Sequence, residues 1–197
     1  TPKDIDRVTL LQLATHTSSL PRVFPNFKHG ANYTEQQILN FLNLFEAPYP
    51  IGTSYSYSNA GFGILGMALA NASKSSYMQL LEQFILRPLN MNATFLEVPE
   101  SLKRHMAVGY NAKNQPVPLT PINRLTPGSG ALISCSRDML KFLKCNLGVD
   151  GPKNLLNAME YAQKEFFFVD NQLSIGLGWQ RFINKEGLLI IDKNGGL

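Results

Sequence analysis

The sequence is short of cysteine, of charge and of long apolar runs, and each shortage excludes a class of protein. Its two cysteines, Cys135 and Cys145, cannot form a disulfide framework and are expected to be buried free thiols. The best apolar stretch, residues 62–70, falls well short of the roughly 20 residues that a membrane-spanning helix needs. The three histidines lie far apart without a neighbouring ligand pair, so the sequence predicts no metal site.

The charges that are present are scattered along the chain. The 18 Lys and Arg residues against 14 Asp and Glu residues give a net charge of +4 and a pI of about 9.1. The densest basic cluster, residues 103–105, is too short to follow a phosphate backbone, which argues against nucleic-acid binding. With 44% apolar and 16% charged residues, the composition indicates a folded domain with part of its surface covered by other protein.

The first 165 residues are predicted to be mainly helical. Thr9 precedes a short apolar helix, and Thr34 with Gln37 forms a capping box before an amphipathic stripe. In the helix that follows Ser76, the apolar spacing directs Phe84 toward the core. The further predicted helices cover 60–71, 76–87, 136–148 and a segment that begins at Pro152.

The last part of the chain, residues 166–197, is predicted to form strands. A small hairpin over 106–119 comes before them, and the strands themselves are predicted at 166–169, 174–182 and 188–191. The predicted fold class is therefore α+β, with one helix-rich domain over 1–197 and a partial antiparallel sheet. Because two or three strands make a poor sheet by themselves, we expect this domain to be incomplete at both ends.

The segment 50–59 is the strongest candidate for a functional site. Tyr57 and Asn59 lie two residues apart where a loop meets a helix start, so both side chains can point the same way. The residues alone also allow Asn59 to be a helix cap and Tyr55 and Tyr57 to be packing aromatics. His16, at a predicted helix end, is either a base or a structural residue bonded to the loop backbone.

Several segments, in matching order, resemble the serine β-lactamase and penicillin-binding family, in its class C β-lactamase and DD-peptidase/esterase branch. Residues 57–59 (Tyr-Ser-Asn) resemble the Tyr-x-Asn motif, and residues 193–195 (Lys-Asn-Gly) resemble Lys-Thr-Gly with Asn in place of Thr. Three further segments match around these motifs: 8–18, 84–94 and 128–139. Each match alone is weak, but the ordered set spans nearly the whole chain and implies a β-lactamase/transpeptidase-like fold.

The resemblance implies an acyl-serine mechanism on β-lactams or D-alanyl peptides of the cell wall, with no metal or organic cofactor. It gives Tyr57 the role of general base or proton relay for the nucleophile. Lys193 is then a supporting cation, because an ordinary phenol with a pKa near 10 is a poor base at neutral pH. The substrate-binding residues that the resemblance implies are Asn59, Asn194, Gly195 and Gly196, the last through an oxyanion-hole N–H.

One motif of the family has no counterpart in the sequence. The family's nucleophile belongs to Ser-x-x-Lys, but no serine here is followed by Lys three residues later. Ser101 and Ser134 are followed by Arg at that position, and both lie after the Tyr57 motif rather than before it. We therefore expect the chain to be part of a serine β-lactamase/DD-peptidase-like hydrolase and to be inactive by itself.

The alternative is a non-catalytic lobe or inactive homologue that binds cell-wall peptides or a protein partner. For the parent enzyme, the resemblance implies the periplasm or cell envelope. The short spacing between Trp179 and Lys193 is more typical of the peptidase and esterase relatives than of dedicated class C enzymes. For the isolated chain, the apolar residues 188–191 predict self-association through uncovered sheet surface.

Overall fold

A computed structural model describes residues 4–25, 33–118 and 126–195, and it confirms the helix-rich α+β class. Short 3₁₀ turns lie between the helices, and a single π turn extends the fourth helix. The α-helices are α1 (Leu10–Ala14), α2 (Glu35–Asn43), α3 (Asn59–Ser73), α4 (Tyr77–Leu81), α5 (Ser136–Asn146) and α6 (Lys153–Ala162). The strands are β1 (Gly109–Tyr110), β2 (Pro116–Val117), β3 (Phe167–Phe168), β4 (Leu173–Ile175), β5 (Gln180–Ile183) and β6 (Leu189–Asp192).

The helix starts follow the capping residues of the sequence. Thr9 and Thr34 both form complete capping boxes. In each, the threonine hydroxyl accepts the N–H of the glutamine three residues later, and the side-chain oxygen of that glutamine accepts the N–H of the threonine. At α3 the cap is Ser58, whose Oγ accepts the Gly61 N–H at 2.8 Å. Asn59 is the first helical residue, so the alternative in which it is the cap is wrong.

The predicted helix after Ser76 changes type part-way along. α4 is only 5 residues long, and Glu82–Leu86 continues it as a π-helix. The wider π turn shifts the inward face, so that Ile85 and Leu86 face the core and Phe84 is 57% exposed. The prediction that Phe84 points inward is therefore wrong, because the apolar spacing assumed a regular α-helix.

The strands form two antiparallel sheets. β1 pairs with β2 in a small exposed hairpin, as predicted, although Leu119 of the predicted hairpin lies outside the described residues. β3, β4, β5 and β6 form a meander in that order. The single strand predicted over 174–182 is instead β4 and β5, which are separated by a reversal through Gly176 and Gly178.

The reversal between β4 and β5 depends on its two glycines. Gly178 has φ +80°, and its N–H donates to the Ala14 carbonyl at 2.9 Å. A Cβ on Gly176 would lie 2.6 Å from the Ala162 carbonyl oxygen, so a side chain there would clash. These contacts attach the sheet to the end of α1 and to the end of α6.

Buried apolar residues form three clusters. One lies beneath α5 and α6 and contains Cys145, which confirms that this thiol is buried and free. The predicted burial of Cys135 is wrong, because this free thiol is exposed at the start of α5. The other two clusters lie between α1, α2 and α3 and centre on Leu13, Leu20 and Phe45, and on Phe24, Ile38 and Ala60.

None of the helices in the described part of the chain is long and apolar enough to cross a membrane. The helices instead pack through their apolar faces onto the three clusters. The loop after α1 and the loop before α3 lie side by side. The start of β5 and the residue after β6 both contact the loop before α3.

Candidate active site

Two loops build the candidate site through main-chain hydrogen bonds. The Gly52 N–H donates to the Thr17 carbonyl at 2.8 Å, and the Ser56 N–H donates to the His16 carbonyl at 2.8 Å. The loop that carries Tyr57 is therefore held flat against the loop that follows α1. These bonds bring residues 16–17 and residues 52–56, which are far apart in sequence, next to each other.

His16 lies between these loops and packs against aromatic rings. It is 4% exposed, has a left-handed backbone with φ +57°, and its Nδ1 accepts the Ser58 N–H at 3.0 Å. Its ring centroid is 4.5 Å from that of Tyr57 and 4.6 Å from that of Phe62. His16 thus bonds the loop backbone, as the structural alternative predicts, and it supports the Tyr57 ring from one side.

The environment of His16 keeps its ring neutral. Burial, and after it the positive charge of Lys193, lower the pKa of His16 to about 4. Since Nδ1 accepts a hydrogen bond, the ring hydrogen of the neutral form is on Nε2. Within the described residues this buried Nε2 has no hydrogen-bond partner.

Tyr57 and Lys193 lie against each other. The Lys193 Nζ is 4.3 Å from the centroid of the Tyr57 ring, within the range of a cation–π contact. Lys193 directly follows β6, whose last residue pairs with Gln180 of β5. The Gln180 Nε2 donates to the Tyr55 hydroxyl at 3.0 Å, which attaches this end of the sheet to the same loop.

Arg22 is a second cation at the Tyr57 ring, and the sequence analysis does not identify it. Its Cζ is 5.7 Å from the ring centroid. Its carbonyl accepts the N–H groups of Asn59 at 2.9 Å and Ala60 at 3.4 Å. A basic residue shortly after the His-Thr-Ser stretch is the only available signal, and it is too common to stand out in a sequence.

The other predicted site residues are close in sequence to Tyr57 or to Lys193. Asn59 is half-buried at the first position of α3, two residues after Tyr57. Asn194 and Gly195 are exposed and directly follow Lys193, whereas Gly196 lies outside the described residues. The structure therefore brings Tyr57, Asn59 and Lys193 into one region, and the substrate-binding roles remain predictions.

Other candidate sites in the described ranges offer less chemistry. No group of three or more His, Cys, Asp or Glu residues there is arranged to hold a metal ion. An open groove of about 680 Å³ next to α1 includes Asp4, Gln12 and Tyr49, but neither Tyr57 nor Lys193 lines it. The Asp4 carboxylate in that groove already accepts the Ala47 N–H at 2.8 Å.

Comparison with known protein families decides the family of this chain. A family model described as beta-lactamase matches residues 1–196. The chain belongs to the beta-lactamase family. Membership confirms the resemblance drawn from residues 57–59 and 193–195 and places the loop geometry within a family of acyl hydrolases.

Curated relatives in the beta-lactamase family include both lactamases and peptidases. A beta-lactamase of Lysobacter lactamgenus is 30% identical over 179 residues, which cover 90% of this chain and 45% of the relative. The D-alanyl-D-alanine-carboxypeptidase/endopeptidase AmpH of Escherichia coli K12 is 32% identical over 211 residues, covering 96% of this chain and 52% of the relative.

Solved structures of the beta-lactamase family share the fold. A class C beta-lactamase superposes with a TM-score of 0.80 at 26% identity, covering 93% of this chain and 50% of that protein. The chain thus spans about half the length of the relatives that it matches. The fold and the family-level reaction type, serine acyl transfer to water, are common to both groups of relatives.

Proposed function

We propose that this chain supplies the proton-transfer and substrate-holding side of a serine acyl-hydrolase site. The observation that carries the proposal is the contact between Lys193 and Tyr57, with the Nζ 4.3 Å from the ring centroid. Two residues that are far apart in sequence, one from each recognisable family motif, meet in one place. Their contact across two separate elements supports a shared role in one site.

In this proposal Tyr57 accepts the proton of the attacking serine hydroxyl. A serine hydroxyl is a weak nucleophile until a neighbouring group takes its proton. Lys193 brings a positive charge against Tyr57, which stabilises negative charge on the phenol oxygen, the form of the side chain that can accept the serine proton. His16 packs against the Tyr57 ring in its neutral form, so it adds no competing charge there.

The substrate is held on either side of this pair. Asn59 binds the amide on the acyl side of a β-lactam or D-alanyl peptide, and Lys193 with Asn194 faces the carboxylate of the substrate. Asn194 can donate a hydrogen bond where Thr is usual in the family, although the amide is longer and flatter than a hydroxyl. Gly195 belongs to the same substrate-binding segment, and the main-chain N–H of Gly196 is one oxyanion-hole donor in this proposal.

The proposal is tested by acylation with benzylpenicillin. A protein that joins this chain to a Ser-x-x-Lys segment is expected to gain one penicilloyl adduct by intact-mass spectrometry. The 197 residues alone, which contain no Ser-x-x-Lys, are expected to gain none. Absence of any adduct on the joined protein would overturn the hydrolase proposal.

The role of Tyr57 is tested by Tyr57→Phe in the joined protein. Loss of a general base should lower the acylation rate constant by about 10²–10⁴-fold. Tyr161→Phe, an exposed tyrosine on α6, is the matched control and should acylate at the unsubstituted rate. Acylation of Tyr57→Phe at a rate near that of the control would remove Tyr57 from the mechanism.

The second candidate function is a non-catalytic module that binds cell-wall peptides or a protein partner. It is favoured by the absence of Ser-x-x-Lys from these residues, while the contact of Tyr57 with Lys193 is retained. Binding of a D-alanyl peptide without formation of an acyl adduct would support this function. For either function we propose the periplasm or cell envelope, where both substrate types are found.

A further inference from the structure

Arg22 is fixed next to the residue that is proposed to hold the acyl side of the substrate. Its carbonyl accepts the N–H of Asn59 at 2.9 Å and of Ala60 at 3.4 Å. Asn59 and Arg22 are therefore neighbours through the main chain, independently of their side chains. The main chain of Arg22 therefore lies against the start of α3, and its side chain reaches the Tyr57 ring.

The side chain of Arg22 is restrained but has free donors. It is exposed, and its Cζ lies 5.7 Å from the Tyr57 ring, where a cation–π contact limits its motion. Within the described ranges, Arg22 forms no hydrogen bond through its guanidinium and no ion pair. A guanidinium has five N–H donors in a planar fork that fits a carboxylate.

Two positively charged side chains lie next to the Tyr57 ring. Lys193 and Arg22 both contact its ring, and no carboxylate in the described residues pairs with either cation. His16, which packs against the same ring, is neutral at physiological pH. An anion that approaches this ring therefore meets two cations that form no ion pair within the described residues.

We propose that Arg22 is a specificity-determining residue that binds a carboxylate on the acyl group of the substrate, so that the site prefers anionic acyl groups. This inference rests on the proposed function, because it takes the acyl side from the role of Asn59. Lys193 remains assigned to the substrate's other end. The two cations thereby recognise two different carboxylates of one substrate.

The test compares two ligands that differ only in one charge. N-succinyl-D-alanyl-D-alanine carries an acyl-side carboxylate, and N-succinamoyl-D-alanyl-D-alanine carries a carboxamide of the same shape. Both are titrated into the ¹⁵N-labelled 197-residue chain, and Kd is obtained from amide chemical shifts. At low salt the succinyl ligand should bind about 1.4–5-fold more tightly, the usual range for an exposed charge pair, and the preference should shrink in 0.5 M salt.

Variants assign the preference to Arg22. Arg22→Gln should abolish it, and Arg22→Lys should retain part of it. Arg137→Gln, which removes an exposed arginine on α5, should leave it unchanged. The amide spectrum of each variant checks its fold, and the comparison of ligands on the unsubstituted chain needs no variant.

The outcomes separate this inference from the proposed function. Equal binding of both ligands, or a preference that survives Arg22→Gln, overturns the role of Arg22 and leaves the acyl-hydrolase proposal intact. Absence of binding by either ligand overturns substrate binding by this chain, and the inference about Arg22 falls with it.

Discussion

Two short segments of this molecule differ in opposite directions from the burial that their hydropathy predicts. The polar loop, defined as residues 15–19, has five polar side chains, and none is more than 4% exposed. The apolar strand, residues 188–191, begins with Leu188 at 58% and Leu189 at 47% exposure. Ordinary hydropathy predicts the opposite for both segments.

The polar loop can be buried because most of its polar groups have partners, the Nε2 of His16 being the exception within the described residues. The Thr15 and Thr17 hydroxyls are 2.9 Å apart, and the Ser19 hydroxyl donates to the Tyr49 carbonyl at 2.8 Å. Main-chain bonds from Gly52 and Ser56 satisfy two of its carbonyls. Each bond removes a desolvation penalty that an unpaired group would impose.

The apolar strand is only partly covered, since Leu188 and Leu189 are exposed whereas Ile190 and Ile191 are half-buried. β6 pairs with β5 along one edge, and its other edge has no strand partner in the described part of the chain. Leu189 faces Ile183 across that pair, and both are about half exposed. The comparison teaches that buried polar groups indicate the site in this chain, whereas exposed apolar groups indicate a surface available for association.

The largest expected effect concerns His16 in the polar loop. Its pKa of about 4 lies below the ordinary 6.5 of an unfolded chain, so the unfolded state binds more protons between these values. Stability contributed by neutral His16 is complete above pH 6.5 and is lost as the pH falls to 4. The loss should be as much as about 3 kcal/mol, measured by urea unfolding across that range.

A substitution assigns this pH dependence to His16. His16→Asn, which tolerates the left-handed backbone at this position, should flatten the stability profile between pH 6.5 and 4. His105→Asn, which replaces an exposed histidine, is the control and should retain the profile. A flat profile in the unsubstituted chain would show that His16 is not held neutral by its surroundings.

The next effect concerns the hydroxyl pair of the polar loop. Thr15→Val keeps the shape of the side chain but removes the bonds to Thr17 and to the Leu11 carbonyl. Because the buried Thr17 hydroxyl then loses its Thr15 partner, the free energy of unfolding should fall by about 1–2 kcal/mol. Thr53→Val loses a bond in an exposed turn and should cost less than about 0.5 kcal/mol in the same denaturant titration. Equal losses of unfolding free energy in the two variants would mean that burial of the polar loop does not strengthen the contribution of its hydroxyl bonds.

Local features of this fold could be predicted from the sequence alone. The caps at Thr9 and Thr34 need only residues that are three positions apart, and both are present in the structure. The division of 174–182 into β4 and β5 depends instead on contacts of Gly176 and Gly178 with α6 and α1. Those contacts join residues that are distant in the sequence, and a window of nearby residues does not contain them.

The candidate site shows the same limit. The order of family motifs indicated Tyr57 and Lys193, and the structure places them in contact, but their catalytic roles remain predictions. Arg22 could not be found in the sequence because its position depends on a hydrogen bond from Asn59. The π turn that exposes Phe84 likewise follows from packing rather than from any local signal.

The smallest expected effect on stability concerns the apolar strand. Leu189→Lys places a charge on an exposed position of β6, and the free energy of unfolding should change by less than about 0.5 kcal/mol. A charge at a sheet edge hinders pairing with a second copy of the chain. Sedimentation velocity over a concentration series should therefore show self-association of the unsubstituted chain and less of it in the variant. Val108→Lys, which adds the same charge at an exposed position near the β1–β2 hairpin, should associate as the unsubstituted chain does. A chain that stays monomeric at every concentration would contradict association through β6.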